Sequence, residues 1–247
     1  MLKVLSEKTI GKPKAVIFDT DNTLYPYDTA HVAAIKAVFE KAEKMLGIDK
    51  KEFEHAYLTS REDIKLKLGA TASSHSRLLY FQRTIESLGL KTRILLTLDL
   101  EQTYWSTFLT HAELFPHVKE FLMKLKSNAI TTANITDLTA QIQFRKMVYF
   151  GLDEYFDYVV TSEEAGHDKP DPRPFQLALD KLKIEPDRIW MIGDSALADM
   201  AGAGSFGIIK IQKIHQNVVQ GKGSSKPDII FKEYKSLENY FSKSFTN

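Results

Sequence analysis

Residues 14–24 read Lys14-Ala15-Val16-Ile17-Phe18-Asp19-Thr20-Asp21-Asn22-Thr23-Leu24. The apolar run from Ala15 to Phe18 stops abruptly at Asp19. A run apolar on both faces predicts a central strand of a parallel sheet, covered by helices on either side. The carboxyl ends of such strands are where α/β proteins place their chemistry. Asp19 and Asp21 stand two apart, so in an extended segment both side chains point the same way. Two carboxylates that close repel each other unless they share a proton or a cation. Mg²⁺, which takes hard oxygen ligands, resolves that conflict. The competing reading is a polar strand-to-loop turn, since Asp, Asn and Thr are common turn residues.

Around this stretch the composition is ordinary for a globular protein: 247 residues, 43% hydrophobic and 26% charged. Lys plus Arg number 33 against 32 acidic residues, a formal charge of +1. No bulk field therefore points to a nucleic-acid polymer or a membrane surface. The absence of cysteine excludes disulfides, thiolate metal sites and a Cys nucleophile. The first eight residues are too short and charged a run for a signal peptide, and no apolar stretch nears the roughly 18 residues a membrane span needs. A soluble cytoplasmic protein is expected.

Taken in order, residues 1–13 read as a polar lead-in arm ending at Gly11 and Pro13. From Thr29 to about Lys126 the texture is helical. Apolar residues at 32, 35, 38, 39, 42 and 46 precede a Gly47 stop, and further helices are expected near 50–60, 74–88, 98–111 and 117–126. Strand patterns resume at 129–135, 158–161, 189–192, 207–211 and 228–231. Helices are expected at about 139–149, 174–182 and 196–203, and a polar Gly/Ser-rich loop at 215–227. This alternation predicts a doubly wound parallel α/β sheet, built from residues 1–25 and 115–247, with an all-helical domain inserted at 26–114.

Further polar groups follow other predicted strands. Thr136 closes the 129–135 run, and Lys169 lies in His-Asp-Lys-Pro-Asp-Pro, a loop that its prolines keep out of regular structure. Asp194 and Asp199 sit in Gly-Asp-Ser-Ala-Leu-Ala-Asp, across a strand-to-helix turn. Singly, Thr136 could cap a helix, Lys169 be a surface lysine and Asp194 a turn residue. Together, at one edge of a sheet, they read as a site.

Asp19-Thr-Asp-Asn-Thr-Leu, Thr136, Lys169-Pro-Asp-Pro and Gly193-Asp-Ser-Ala-Leu-Ala-Asp199 resemble the four motifs of the haloacid dehalogenase-like hydrolases. The helical insertion resembles the cap of the subfamily that contains phosphoglycolate phosphatases, sugar-phosphate phosphatases and nucleotidases. The resemblance implies that Asp19 is a nucleophile forming an aspartyl-phosphate, and that Asp21 protonates the leaving oxygen and then deprotonates water. It implies that Thr136 and Lys169 hold the phosphoryl oxygens. Mg²⁺ would be bound by Asp19, Asp194 and the Asp21 backbone carbonyl, with Asp199 orienting Lys169 or a metal-bound water. An acid at Asp21 favours phosphatase over dehalogenase by the same analogy, because an alkoxide needs a proton and a halide does not.

The sequence departs from the family pattern twice. Asn22 stands where many members have glycine, and Asp137 where asparagine commonly follows the second-motif threonine. Both are candidate substrate contacts, and Thr132 rivals Thr136 for the phosphate-binding hydroxyl. In the insertion, residues 73–83 carry His75, Arg77, Tyr80 and Arg83, with Arg77 the candidate for contact with the leaving group and a solvated helix face the alternative. The implied function is Mg²⁺-dependent hydrolysis of a small phosphorylated metabolite, a nucleoside monophosphate or sugar phosphate. A phosphomutase and a catalytically idle binding protein on the same fold are the alternatives.

Overall fold

In the computed structural model, which describes residues 1–7 and 9–245, β1 (Leu2–Val4), β2 (Ala15–Phe18), β3 (Thr131–Thr136), β4 (Tyr158–Thr161), β5 (Ile189–Gly193), β6 (Ile209–Lys213) and β7 (Ile229–Phe231) form one sheet. Its order is β1-β7-β6-β5-β2-β3-β4. All four residues of β2 are buried, as are all five of β5, as strands covered on both faces require. The chain builds β2, β3 and β4 outward in one direction. It then crosses back to lay β5, β6 and β7 on the other side of β2. The crevice at such a reversal, beyond the carboxyl ends of the strands, is the binding position of an open α/β sheet.

The sheet differs from expectation at its edge. Leu2–Val4, read from sequence as part of a polar arm, pairs antiparallel with β7, so the sheet is mixed rather than wholly parallel. Edge pairing is made by backbone groups, and Leu2-Lys3-Val4 needs no buried face to make it. The strand expected at 207–211 runs instead from Ile209 to Lys213, and Thr136 lies inside β3 rather than after it.

The chain divides into two compact units, one from the described residues of Met1–Pro26 and Glu113–Asn247, the other Tyr27–Ala112. In the first, α5 (Val118–Ser127), α6 (Ala140–Phe150), α7 (Ser162–Ala165), α8 (Pro172–Leu182), α9 (Gly202–Ser205) and α10 (Tyr234–Phe245) accompany the sheet. Local sequence sets their ends. Asp171 caps α8 through the Arg173 amide with Pro172 in the first turn, and Gly151 closes α6 at φ 60°. Phe175, Ala178 and Leu182 of α8 pack with Ile17, Ile135 and Met191 of the sheet. The Phe115 amide donates to the Leu24 carbonyl at 2.8 Å, tying together the segments that leave and re-enter this unit.

The second unit holds α1 (Tyr27–Leu46), α2 (Lys50–Leu68), α3 (Arg77–Ser87) and α4 (Ile94–Thr110), with α1 against α4 and α2 against α3. Here α2 runs eight residues past its expected end, capped by Gly69 at φ 62°. Phe39, Phe53, Tyr57, Phe81, Tyr104, Trp105 and Phe108 form a continuous aromatic core through edge and stacked contacts. Lys41 reaches from α1 to Asp99 at 2.6 Å and Thr103 at 2.9 Å on α4. Among the described residues, no helix is long and apolar enough to cross a membrane.

His31 sits in this aromatic core, its Nδ1 2.7 Å from the Tyr104 hydroxyl. Burial, with the Arg77 and Arg61 charges, lowers its pKa to about 4. Between that value and the unfolded value near 6.5, only the unfolded chain binds the proton. Stability is therefore lost as pH falls through that window. The loss attributable to His31 is expected to be about 3 kcal/mol at most. Urea unfolding of the helical unit at pH 7 and pH 4.5 checks it: His31→Asn should lose measurably less than wild type, and an equal loss removes His31 as the source.

Candidate active site

β2, β5 and β3 end side by side, and their last residues define the site. The pairings Phe18 with Ile192 and Phe18 with Asn134 bring Asp19, Asp194 and Thr136 to one sheet edge. The Asp19 amide continues the ladder by donating to the Ile192 carbonyl at 2.9 Å. Asp19 is 7% exposed and both its oxygens are engaged. Lys169 Nζ donates to Oδ1 at 2.6 Å and the Thr23 hydroxyl to Oδ2 at 2.8 Å. Asn134, fully buried, donates to the Phe18 carbonyl at 2.9 Å and pairs with Thr20, pinning the strand end from the neighbouring strand.

Beyond Asp19 the chain turns sharply. The Leu24 amide returns to the Thr20 carbonyl at 2.9 Å, and Asn22 adopts φ 63°. That left-handed conformation explains the residue: asparagine tolerates it where most side chains do not. Asn22, read from sequence as a substrate contact, has this backbone reason to be where it is. Asp21 accepts from Lys146 at 2.8 and 3.2 Å and from the Tyr25 hydroxyl. Its side chain thus stands apart from the carboxylate group formed by Asp19, Asp194 and Asp199.

Lys169 is buried and all three of its N–H donors are used, on Asp19, on Asp199 at 2.7 Å and on the Ile135 carbonyl at 3.1 Å. Burial works against its charge, but Asp19, Asp199 and Asp137 hold the ammonium well above the usual lysine value. Asp199 is fixed in turn by the Ser195 amide, 3.0 Å from Oδ2, within the wide turn Ala196–Ala201 that opens after Ser195. Asp137, a candidate substrate contact from the sequence, accepts the Lys169 amide on Oδ1 at 2.9 Å and so holds the lysine loop. The Thr136 hydroxyl is buried and accepts from Gln143 at 2.7 Å. Thr132 lies at the far end of β3, level with Val16, and donates to the Tyr155 carbonyl at 2.6 Å. Arg77 belongs to the helical unit. There it donates to the His75 carbonyl at 2.7 Å and to the Tyr27 and Tyr104 hydroxyls, 5.2 Å above the Tyr104 ring.

The charge at the sheet edge is unbalanced. Oxygens of Asp19, Asp194 and Asp199 lie within 4.8 Å of one another, against the single ammonium of Lys169. Burial, together with Asp199 and Asp21 and against Lys169, raises the Asp19 pKa to about 6. Burial, Asp19 and Asp199 push Asp194 up to about 8. Such a group lacks one divalent positive charge. The ligands are hard oxygens at a spacing that suits a small divalent cation, so the residues present fit Mg²⁺.

Several residues here carry no motif. Lys146 and Gln143 lie on the buried stripe of α6 with Ile142, Met147 and Phe150. A lysine and a glutamine on the apolar face of an amphipathic helix are the signal that would have found them. Tyr234, fully buried on α10, donates to the Thr23 carbonyl at 3.0 Å, behind the turn that carries Asp19 and Asp21.

Gly193 is a tight position. A Cβ there would overlap the Asp199 carboxylate that carries Lys169. Gly193→Ala is expected to destabilise the protein by about 1–3 kcal/mol through overpacking. Gly11→Ala, with nothing within 4 Å, should change little. Urea denaturation of the two variants checks this, and equal stabilities would contradict the close approach.

The comparisons with known proteins agree with this geometry. The family model for haloacid dehalogenase-like hydrolase matches residues 13–207. The chain is 39% identical over 195 residues to a ribulose-1,5-bisphosphate 5-phosphatase of Halopiger xanaduensis, covering 78% of this chain and 82% of that one. It is 32% identical over 201 residues to a glyceraldehyde 3-phosphate phosphatase of Methanothermobacter thermautotrophicus, covering 80% and 84%. A crystal structure of a phosphatase from Thermococcus onnurineus superposes with a TM-score of 0.69 at 23% identity over 92% of this chain and 96% of that one. A 2-haloacid dehalogenase from Pseudomonas syringae pv. Tomato superposes at 0.71 and 22% over 94% and 99%. At those identities the two structures speak for the fold alone. With the motifs, the sheet and the family model in agreement, this chain belongs to the haloacid dehalogenase-like hydrolases, and its curated relatives place it among their phosphatases.

Proposed function

We propose that the protein is a Mg²⁺-dependent phosphomonoesterase that works through an aspartyl-phosphate on Asp19, with a small sugar phosphate as substrate. The observation that carries the reading is Asp19 itself. It is a carboxylate at a switch-point strand end, oriented by Lys169 and Thr23, with a second carboxylic acid two residues on. A structural aspartate has no need of that company. The choice of a sugar phosphate rests on the relatives, which are named for ribulose 1,5-bisphosphate and glyceraldehyde 3-phosphate.

In the first step an Asp19 oxygen attacks phosphorus and the bond to the leaving alkoxide breaks, with Asp21 donating its proton to that oxygen. In the second, water attacks the phosphoryl group and gives a proton to Asp21, and the Asp19–phosphorus bond breaks to release phosphate. Lys169 orients Asp19 and holds positive charge against the phosphoryl oxygens. Asp199 and Asp137 fix Lys169 at its ammonium and its backbone. Asp19 and Asp194 would hold Mg²⁺, which when bound neutralises charge developing on the phosphoryl group.

The purified protein with Mg²⁺ should release phosphate from sugar phosphates faster than from nucleoside monophosphates. Asp19→Asn should lower kcat by at least about 10³-fold while keeping the fold by circular dichroism. Retained turnover in Asp19→Asn would overturn the covalent route. An isomerised sugar phosphate in place of free phosphate would identify a phosphomutase.

The metal has a readout independent of activity. Saturating Mg²⁺ is expected to raise the wild-type Tm by about 5 °C, since a ligand that binds only the folded state stabilises it. Asp194→Asn, which removes one of three crowded carboxylates, should raise the metal-free Tm and abolish the Mg²⁺ response. A variant that still responds fully would remove Asp194 from the metal site.

A further inference from the structure

One strand out from β5, the last residue of β6 is a buried lysine. The pairing of Gly193 with Gln212 sets Lys213 level with Asp194. Lys213 is 2% exposed. Its ammonium donates to the Lys232 carbonyl at 2.9 Å and lies 3.9 Å from the centre of the Phe115 ring. Its two other N–H donors have no acceptor among the described residues, and no carboxylate lies within ion-pair distance of it. Burial lowers its pKa to about 8, against the more distant charges of Asp194 and Glu233. A desolvated ammonium with neither a carboxylate nor a full set of acceptors is costly to fold around.

The contrast with the other buried lysines is informative. Lys169 meets two carboxylates and Lys146 one. Lys213 instead lines a cavity of about 710 Å³ with Phe115, His117, His215, Lys232 and Lys235 among its walls. That volume lies in the range of small-molecule sites. The cavity opens within the sheet-bearing unit, beside the strand end that carries Asp194. Its charged lining is predominantly basic, with Glu233 the acidic exception. Glu233 faces the N-terminal amine, and Lys235 is paired with Glu238 at 3.1 Å, which leaves Lys213 and Lys232 as the lysines of the lining without a carboxylate partner among the described residues.

We propose that this cavity, with Lys213 in its wall, binds a second anionic group of the substrate, a phosphate or carboxylate at the end remote from the scissile ester. The inference rests on the phosphomonoesterase reading and adds a specificity site to it, on the sheet unit rather than the helical one. The remote anion supplies the acceptors that Lys213 lacks.

The test uses Lys213→Met, which keeps the apolar stem and removes the charge, and Lys213→Arg, which keeps the charge. On ribulose 1,5-bisphosphate, with two anionic ends, Lys213→Met should lower kcat/KM at least 30-fold, mainly through KM. That loss should be at least ten times its loss on p-nitrophenyl phosphate, and Lys213→Arg should recover part of it. 3-Phosphoglycerate separates the anions: a comparable loss there means a carboxylate is accepted, and a loss confined to the bisphosphate means phosphate alone. Equal losses on ribulose 1,5-bisphosphate and p-nitrophenyl phosphate, with no recovery in Lys213→Arg, would make Lys213 structural and overturn the proposal. Calorimetric binding of ribulose 1,5-bisphosphate to Asp19→Asn, with and without Lys213→Met, reads the cavity without turnover. Binding weakened at least tenfold by Lys213→Met supports the anion site even if the hydrolysis reading fails, and unaltered binding overturns it.

Discussion

The ammonium of Lys169 is the interaction on which the site depends. Three elements far apart in sequence meet on one nitrogen: Asp19 after β2, the Ile135 carbonyl in β3, and Asp199 after β5. Alone, the carboxylates would repel one another in a buried place, and the lysine would be an uncompensated charge. Together they are mutually satisfied in everything but net charge. The backbone answers to the same demand. Asp137 anchors the lysine loop, and Gly193 lacks a side chain because Asp199 occupies the space where one would be.

The remaining imbalance gives the site its character. Three carboxylates stand against the Lys169 ammonium, and Asp19 and Asp194 have their pKa values raised by burial and by neighbouring carboxylates. This is a preorganised deficit of positive charge, set by the ends of adjacent parallel strands and by the lysine loop and wide turn fastened to them. A site of this kind favours a divalent cation and a phosphoryl group together, since each brings the charge that the other requires.

The parts of this arrangement that could be read from sequence are those where chemistry and chain direction coincide. Ala15–Phe18 and Ile189–Ile192 are apolar runs ended by a carboxylate, so the strand and the residue after it announce each other. Thr136 closes β3 in a similar manner, while Lys169 is marked by the prolines of its loop. Lys146 was hidden because its partner is remote: it lies 125 residues from Asp21, and a helix pattern does not say which sheet edge it covers. Arg77 was legible as a cation but not in its setting, because Tyr27, Tyr104 and His75 come from three separate segments. β1 was missed because edge pairing leaves no hydrophobic period. Lys213 escaped notice because its strand was placed two residues early, which left it outside the expected strand.

The hydrogen bond from the Phe115 amide to the Leu24 carbonyl has a consequence in terms of chain statistics. It fastens the two ends of the 27–112 insertion to each other, so for the sheet the whole helical unit is one closed loop. The entropy of closing a loop grows only with the logarithm of its length, so doubling the insertion would add only about 0.6 kcal/mol. The sheet and its strand-end residues are therefore nearly indifferent to how much chain departs at Leu24 and returns at Phe115. Length, helix number and sequence can drift in the insertion while the strand-end residues stay fixed. A single backbone hydrogen bond thus separates the part of the chain that is free to vary from the part that is not.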